Sequence, residues 1–438
     1  MKTFTIIHLR GTQAEMGYQH GCMVRQAAVG SEIEARALEC YPNVAQRLLA
    51  DANVHGLIPG MVHGIVKRAV NGAARGLELS RPRAYLARSR AFLRGLELPT
   101  HLSRQFMLMD VFQNAVGLAG RLRIGPLARA AAQVAVPACS SVAAWEDASA
   151  DETLLHGRNF DFPAIGVWDA YPSLVFCDPA EGLRYGYVST MGVDLPGPTS
   201  FNEAGLTVSA HTRFHRDVTF RGAAIVDLTH DIVRRAETLS DAIAIARERR
   251  VASTWGIMVS SAAERRAIVI ETTSQGAEVV TPPVGRSYLT CANANRHPRF
   301  VGDQIAPMPA FIHHSDTREQ RLVEVMEATR QSGGASVNDV QRLLGDHEGL
   351  DHPGEERAGG GVIAQAIAVL STVSEPEKRQ LHVSTGDAPT GWGPYIAIPW
   401  DWESPVGAVE RPCEARAEDD DIDHPLKQGR RFRSGPAA

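Results

Sequence analysis

Pro137-Ala138-Cys139-Ser140-Ser141-Val142-Ala143-Ala144-Trp145-Glu146 is where the chain changes character. Before it, from Glu15 to about Val136, residues 15–29, 31–49, 58–79 and 81–98 place apolar side chains three and four apart, the period of amphipathic helices. Strand-like alternation is nearly absent there. After Pro137, short strand candidates follow in quick succession at residues 139–146, 153–161, 173–178, 183–190 and 205–212, separated by Asp, Gly and Pro clusters. A helical stretch covers 223–250. Strands are expected again at 253–261, 265–273, 277–283 and 286–294, helices at 315–331 and 336–346, and strands at 361–375, 378–385 and 393–400. Hairpin-connected strands broken by helix pairs predict an α+β fold built on antiparallel sheets.

The 438 residues are enough for one large fold or two ordinary domains. Hydrophobic residues make up 44% and charged residues 22%, the balance of a globular protein with a real core. A net charge of −5 argues against a dedicated nucleic-acid binder. The charge is uneven: residues 1–138 hold 17 Lys/Arg against 8 Asp/Glu, whereas residues 139–438 hold 28 against 42, so the two portions attract each other. Six scattered cysteines with no CxxC pair make neither a disulfide framework nor a zinc motif. The N-terminus has no secretory core and no run reaches 18 apolar residues, so a cytoplasmic protein without membrane partners is expected. Residues 354–361, Gly-rich, read as a flexible loop, and residues 414–438 as a disordered tail.

Chemistry is expected at Cys139, a thiol opening a strand immediately after a helical segment ends. The chain returns some twenty residues later in His156-Gly157-Arg158-Asn159-Phe160-Asp161. Residues about twenty apart lie side by side on paired antiparallel strands, which brings Arg158 and Asp161 to the thiol. Phe160 and Phe162 mark a partly buried place where unpaired charge is costly, and with Trp168 and Tyr171 they form either an apolar wall or plain core. His211 and His215 stand four apart but follow a strand and lack the Glu of a zinc protease motif, so no metal is expected. His313 and His314 read as a loop or the start of a helix. Arg81, Arg83, Arg88, Arg90 and Arg94, interspersed with Leu, Ala and Phe, read as an amphipathic helix packed on the acidic remainder.

The run Cys139-Ser140-Ser141 followed by Gly157-Arg158-Asn159-Phe160-Asp161 resembles the N-terminal-nucleophile cysteine hydrolases, the clan of penicillin acyltransferases, bile-salt hydrolases, acid ceramidase and N-acylethanolamine acid amidase. Arg10-Gly11-Thr12-Gln13-Ala14-Glu15-Met16-Gly17-Tyr18-Gln19-His20-Gly21 is similar to the opening of the penicillin acyltransferase branch. Phe201-Asn202-Glu203-Ala204-Gly205-Leu206 resembles the clan's Asn-Glu-x-Gly-Leu turn, Leu289-Thr290-Cys291-Ala292-Asn293 its strand ending in an active-site Asn, and Ser315-Asp316-Thr317-Arg318 the segment supplying a second Arg. The likeness spans about residues 8–400.

The resemblance implies a four-layer αββα sandwich in which residues 1–138 are a helical pro-segment and residues 139–413 the catalytic part, separated by self-cleavage at Ala138–Cys139 with both chains staying associated. It implies a catalytic set of Cys139, Arg158, Asp161, Asn293 and Arg318 and no cofactor. In it the freed α-amine serves as the thiol's own base, Arg158 favours the thiolate, Asp161 orients the amine and Asn293 donates to the oxyanion. The Asn that bile-salt hydrolases carry after the Asn-Glu-x-Gly-Leu turn is missing, leaving His211 or Thr212 as second donor, and Asn295 competes with Asn293. The expected partner is a small N-acylated amide, with an amine or acyl-CoA as co-substrate. Two readings compete: a catalytically silent member serving as a ligand-binding or scaffolding module, and a papain-like protease, whose His base and sequence setting are missing around Cys139.

Overall fold

In the computed structural model, residues 3–27, 59–121, 138–162, 168–356 and 359–413 are described. The helix expected at 31–49, Cys40, the approach to Ala138 and the 414–438 tail lie outside the described residues. In chain order the strands are β1 (Thr3–Gly11), β2 (Ala138–Ala144), β3 (Leu155–Asp161), β4 (Pro172–Pro179), β5 (Tyr185–Thr190), β6 (Thr199–Asn202) and β7 (Leu206–Thr212). They continue as β8 (Trp255–Ser261), β9 (Arg266–Thr273), β10 (Gly276–Val280), β11 (Tyr288–Cys291), β12 (Glu348–Gly349) and β13 (His352–Glu356). The last four are β14 (Ala368–Glu375), β15 (Gln380–Ser384), β16 (Tyr395–Pro399) and β17 (Gly407–Pro412). The α-helices are α1 (Gln13–Gln26), α2 (Pro59–Glu78), α3 (Arg83–Gly95), α4 (Leu108–Arg121), α5 (Ile225–Arg235), α6 (Leu239–Glu248), α7 (Pro298–Val301), α8 (Phe311–Gln331) and α9 (Val337–Leu344).

The fold is mixed α and β, with two sheets flanked by helices. A nine-stranded sheet runs β10-β9-β8-β7-β6-β5-β4-β1-β17 and a six-stranded sheet runs β11-β2-β3-β14-β15-β16. One core joins β4, β5 and β7–β9 of the large sheet to α1, α3, α5 and α6. Another joins the small sheet to α8 and α9 through Val142, Leu155, Leu322, Val340 and Leu344. Between them, Leu174, Val188 and Phe201 of the large sheet pack against Leu370, Leu381, Val383 and Ile398 of the small one.

Three expectations change. The first strand, β1, goes unread in the sequence because its run from Phe4 to Leu9 is buried throughout and no alternation shows, the pattern of a strand covered on both faces. It sits inside the large sheet, parallel to β4 and antiparallel to β17, so the sheets are not wholly antiparallel. The Gly-rich stretch expected to be a loop opens as β13, which includes Gly354, Glu355 and Glu356 and pairs with β12. The helix expected from Ser315 begins at Phe311, placing His313 and His314 in its first turn.

The motif around Thr12 is structural. Gly11 turns the chain at φ 114°, a value that favours glycine, and Thr12 and Glu15 form a reciprocal capping box at the start of α1. A Cβ at Gly17 would stand 2.3 Å from the Arg88 carbonyl oxygen and one at Gly21 2.1 Å from that of Phe92, so two glycines one turn apart let α1 and α3 cross in contact. The Asn202 turn is structural too: its Nδ2 donates to the carbonyls of Val233 (3.0 Å) and Ala236 (2.8 Å), capping α5.

Arg81 and Arg88 bear out the packing reading of the basic helix. Arg81 forms an ion pair with Asp227 at 2.8 Å. Arg88, fully buried, donates from Nε and Nη2, each at 2.8 Å, to the two oxygens of Asp194 and from Nη1 to the Tyr185 hydroxyl at 3.0 Å. Asp194 also accepts from the Tyr187 hydroxyl at 2.7 Å and meets the His20 ring at 3.1 Å. Burial pushes its carboxyl up, but Arg88 and His20 outweigh burial and hold it well below the usual range. This cluster ties the N-terminal helices to the sheet. Replacing Asp194 by Asn leaves the Arg88 charge buried and under-compensated, so urea unfolding should report a loss of about 3 kcal/mol or more. Exposed Arg83→Ala should change stability by under about 0.5 kcal/mol. Equal stability of Asp194→Asn and wild type would refute the anchoring role.

Candidate active site

Cys139 is the second residue of β2, between β11 and β3. The register puts Ala138 opposite Asp161, Cys139 opposite Phe160 and Ser141 opposite Arg158, while Cys291 of β11 stands opposite Ser141 on the other side. Directly opposed residues share a face, so Cys139, Ser141, Arg158, Phe160 and Cys291 point the same way, toward the large sheet. Arg158 Nη2 lies 3.7 Å from the Cys139 sulfur, and the Asp161 backbone N–H also reaches the thiol.

Two distant residues complete the grip on Cys139. Its backbone N–H donates to Asn293 Oδ1 at 3.0 Å, and Arg318 Nη2 donates to the same oxygen at 2.7 Å. Arg318 Nη1 reaches the Cys139 carbonyl at 2.8 Å and Ser140 Oγ at 3.0 Å. One turn back on α8, Ser315 Oγ accepts from the backbone N–H groups of Asn293 (2.9 Å) and Ala294 (2.8 Å), fixing the loop that presents Asn293. In the sequence, only its spacing of three from Arg318 marks Ser315.

The Asn293 amide is oriented by its partners: two donors converge on Oδ1, and Nδ2 donates to the Thr212 carbonyl at 3.0 Å. Its Oδ1 therefore holds the backbone nitrogen of Cys139, and its Nδ2 is taken by Thr212. Asn295, the competing residue, is buried with both amide atoms unpartnered and does not contact Cys139 among the described hydrogen bonds. Thr212 contributes its carbonyl, an acceptor. His211 is buried on β7, with Nε2 at 3.4 Å from Ser209 Oγ and Nδ1 unpartnered. Its pKa falls well below the ordinary value through burial and the nearby Arg158 and Arg213, so the ring is neutral. A polar chain missed in the sequence crosses the layers here: His156 bridges Ser260 Oγ (2.7 Å) and Ser209 Oγ (2.9 Å), and Ser209 meets Ser141 Oγ at 3.2 Å.

Burial pushes the Cys139 thiol up, and Arg158, which acts in the expected direction, does not overcome it. The resting sulfur is a thiol. Burial likewise pushes Asp161 up to about 7 against the pull of Arg318 and Arg158. Both carboxylate oxygens are buried without a hydrogen-bond partner, as are Nε and Nη1 of Arg158. Such unsatisfied groups cost about 1–3 kcal/mol each, or more when charged. Four segments, β2, β3, the loop after β11 and α8, thus deliver a thiol, a carboxyl, two guanidinium groups and an amide to one buried point.

No family model and no curated protein sequence matches the chain. Among solved structures it is similar to an N-acylethanolamine-hydrolyzing acid amidase ortholog of Caenorhabditis elegans, at 17% identity and TM-score 0.37, over 54% of this chain and 93% of that one. It is also similar to conjugated bile acid hydrolase of Clostridium perfringens, at 11% identity and TM-score 0.42, over 64% of this chain and 99% of that one. Among the described residues no helix is long and apolar enough to cross a membrane, and no group of three or more His, Cys, Asp or Glu could hold a metal ion.

The aromatic residues divide. Phe162 and Trp168 belong to the core between the sheets, and Tyr171 packs on the helical side of the large sheet. Phe160 alone is partly exposed beside the thiol, stacked on Phe162 at 5.6 Å and under the Arg158 guanidinium at 5.4 Å.

The Asp161 pKa carries a pH signature. Because the folded value of about 7 lies above the unfolded one, the folded state binds the extra proton between them, and this group's contribution to stability falls as pH rises from about 4 to about 7. In a Cys139→Ala background, Asp161→Asn should gain on its parent by about 2 to 4 kcal/mol across that window in urea unfolding. A difference that does not vary with pH would rule out the buried, unpartnered carboxyl.

Proposed function

We propose that this chain is a self-processing cysteine amidohydrolase or acyltransferase, with the αββα layering that its motifs resemble, and that it acts on a small N-acylated amide. The observation that carries this reading is the Asp161 carboxylate, buried beside Cys139 with both oxygens unpartnered. An amide nitrogen offers one hydrogen, and Asn293 already takes it. Cutting Ala138–Cys139 converts that amide into an amine and, once protonated, an ammonium with three donors. One stays on Asn293 and another supplies what Asp161 lacks.

In processing, the Cys139 sulfur attacks the Ala138 carbonyl carbon. The C–N bond breaks, the nitrogen takes up the proton released by the thiol, and Ala138 is left as a thioester that water hydrolyses to a carboxylate. Asp161, with a pKa of about 7, is matched to carry the proton between sulfur and nitrogen near neutral pH. In turnover, the free α-amine, with an ordinary pKa of about 8, takes the thiol proton while the sulfur attacks the substrate carbonyl. The ammonium then protonates the leaving amine. The acyl thioester passes to water or to a second amine, such as that of a co-substrate. Arg158, 3.7 Å from the sulfur, stabilises the thiolate as it forms, and partly exposed Phe160 offers an apolar face to the acyl group.

After cleavage the chains should remain together, since β1 is an interior strand of the large sheet and Arg88 is bound to Asp194. Intact-mass measurement under denaturing conditions should find chains of 138 and 300 residues, and native mass spectrometry their complex. Cys139→Ala should stay a single 438-residue chain. Wild-type protein that remains full length while turning over N-acyl amides would sink the reading.

A further inference from the structure

Beyond the β11 edge of the small sheet, a cavity of about 210 Å³ opens between β9, β10 and α8. Val269, Val280, Leu289 and Val323 give it aliphatic walls, and Arg213 and Arg286 give it cations.

Two carboxylates also line it, and both already accept hydrogen bonds. Glu271 accepts the backbone N–H groups of Arg296 (2.8 Å) and His297 (3.0 Å), and Glu319 accepts Nε (2.9 Å) and Nη2 (2.6 Å) of Arg296. The cations are not matched in the same way. Arg213 is fully buried. Its Nη1 donates to the Ala292 carbonyl and its Nη2 to the Cys291 thiol at 3.2 Å, both neutral groups. Its nearest carboxylate oxygen is on Glu271 at 3.9 Å, and its Nε has no partner. Burial pushes the Cys291 thiol up to about 11, so it supplies no countercharge. Arg286, half-buried, lies over the Tyr288 ring at 5.0 Å and forms no ion pair among the described residues. Gly256 makes room for this arrangement: a Cβ there would stand 2.5 Å from Arg213 Nη2.

A buried guanidinium with a weak countercharge and a free donor is costly, and an incoming anion relieves that cost. The walls decide which anion, because aliphatic surface gains from covering a short hydrocarbon chain and gains nothing from bare phosphate. We propose that this cavity binds a short aliphatic carboxylate, with the carboxylate taken by Arg213 and Arg286 and the chain laid against Val269, Val280, Leu289 and Val323. Guanidinium groups suit this task because their planar donors match a carboxylate. The site is independent of the proposed acyl chemistry, although Arg213 directly follows Thr212, whose carbonyl holds Asn293.

The test uses the full chain carrying Cys139→Ala, so that no thioester can form. Sodium butyrate, inorganic phosphate and butylamine are titrated at constant ionic strength, with binding read by saturation-transfer NMR and calorimetry. Butyrate should bind saturably, phosphate more weakly and butylamine not at all. Adding Arg286→Gln, at a half-buried position without an ion pair, should leave the melting temperature unchanged and weaken butyrate about tenfold, the equivalent of one charge-assisted contact. Gly256→Ala, which displaces Arg213, should weaken it as well. Absence of saturable butyrate binding, phosphate binding tighter than butyrate, or equal butyrate affinity in Arg286→Gln would each overturn the proposal.

Discussion

The pairing of β2 with β3 is the constraint on which the site depends. With Ala138 opposite Asp161 and Ser141 opposite Arg158, one face of the small sheet carries the thiol, the guanidinium and Phe160. A slip of one residue would turn Arg158 toward α9 and expose Asn159 to the large sheet in its place. Asn159 helps to hold the register from the other face, donating to the carbonyls of Leu344 at 2.8 Å and Ile363 at 3.2 Å. Val142 and Leu155 on that same face pack with Val340 and Leu344, so hydrophobic burial behind the sheet sets the geometry in front of it.

That geometry concentrates charge where water is excluded. Arg158, Arg318 and Asp161 are all buried around Cys139, and the described contacts leave the carboxylate oxygens and two of the three Arg158 nitrogens unused. Elsewhere in the molecule, buried charge is handled differently. At Arg88 and Asp194 the ion pair is bidentate, and two tyrosines and a histidine complete the network. The contrast separates a cluster built for cohesion from one with unmet hydrogen-bonding capacity, the property expected of a place where a new charge appears or a ligand enters.

The sequence marks Cys139, Arg158 and Asp161 because a hairpin of ordinary length returns the second strand beside the thiol. Asn293 and Arg318 came from motif resemblance alone, since no local pattern connects positions so far apart. Their placement follows from the folded chain: only the convergence of two donors on Asn293 Oδ1 reveals that its carbonyl, not its amide hydrogens, faces Cys139. The motif from Arg10 to Gly21 was conspicuous for reasons of packing, a capping box and two glycines at a helix crossing. The first strand escaped because burial on both faces removes the alternation by which a strand is read. Ser315 escaped because a serine early in a helix is unremarkable until the backbone it holds is seen.

Trapping the acyl-enzyme tests whether Cys139 is the nucleophile. The purified protein is mixed with excess of a panel of N-acyl p-nitroanilides, quenched in acid within the first turnover, and analysed by intact mass and peptide mapping. A single acyl adduct is expected on the 300-residue chain, located at Cys139 and released by neutral hydroxylamine as a thioester should be. Turnover with no adduct at Cys139, or an adduct at another residue that forms equally well in Cys139→Ala, would contradict it.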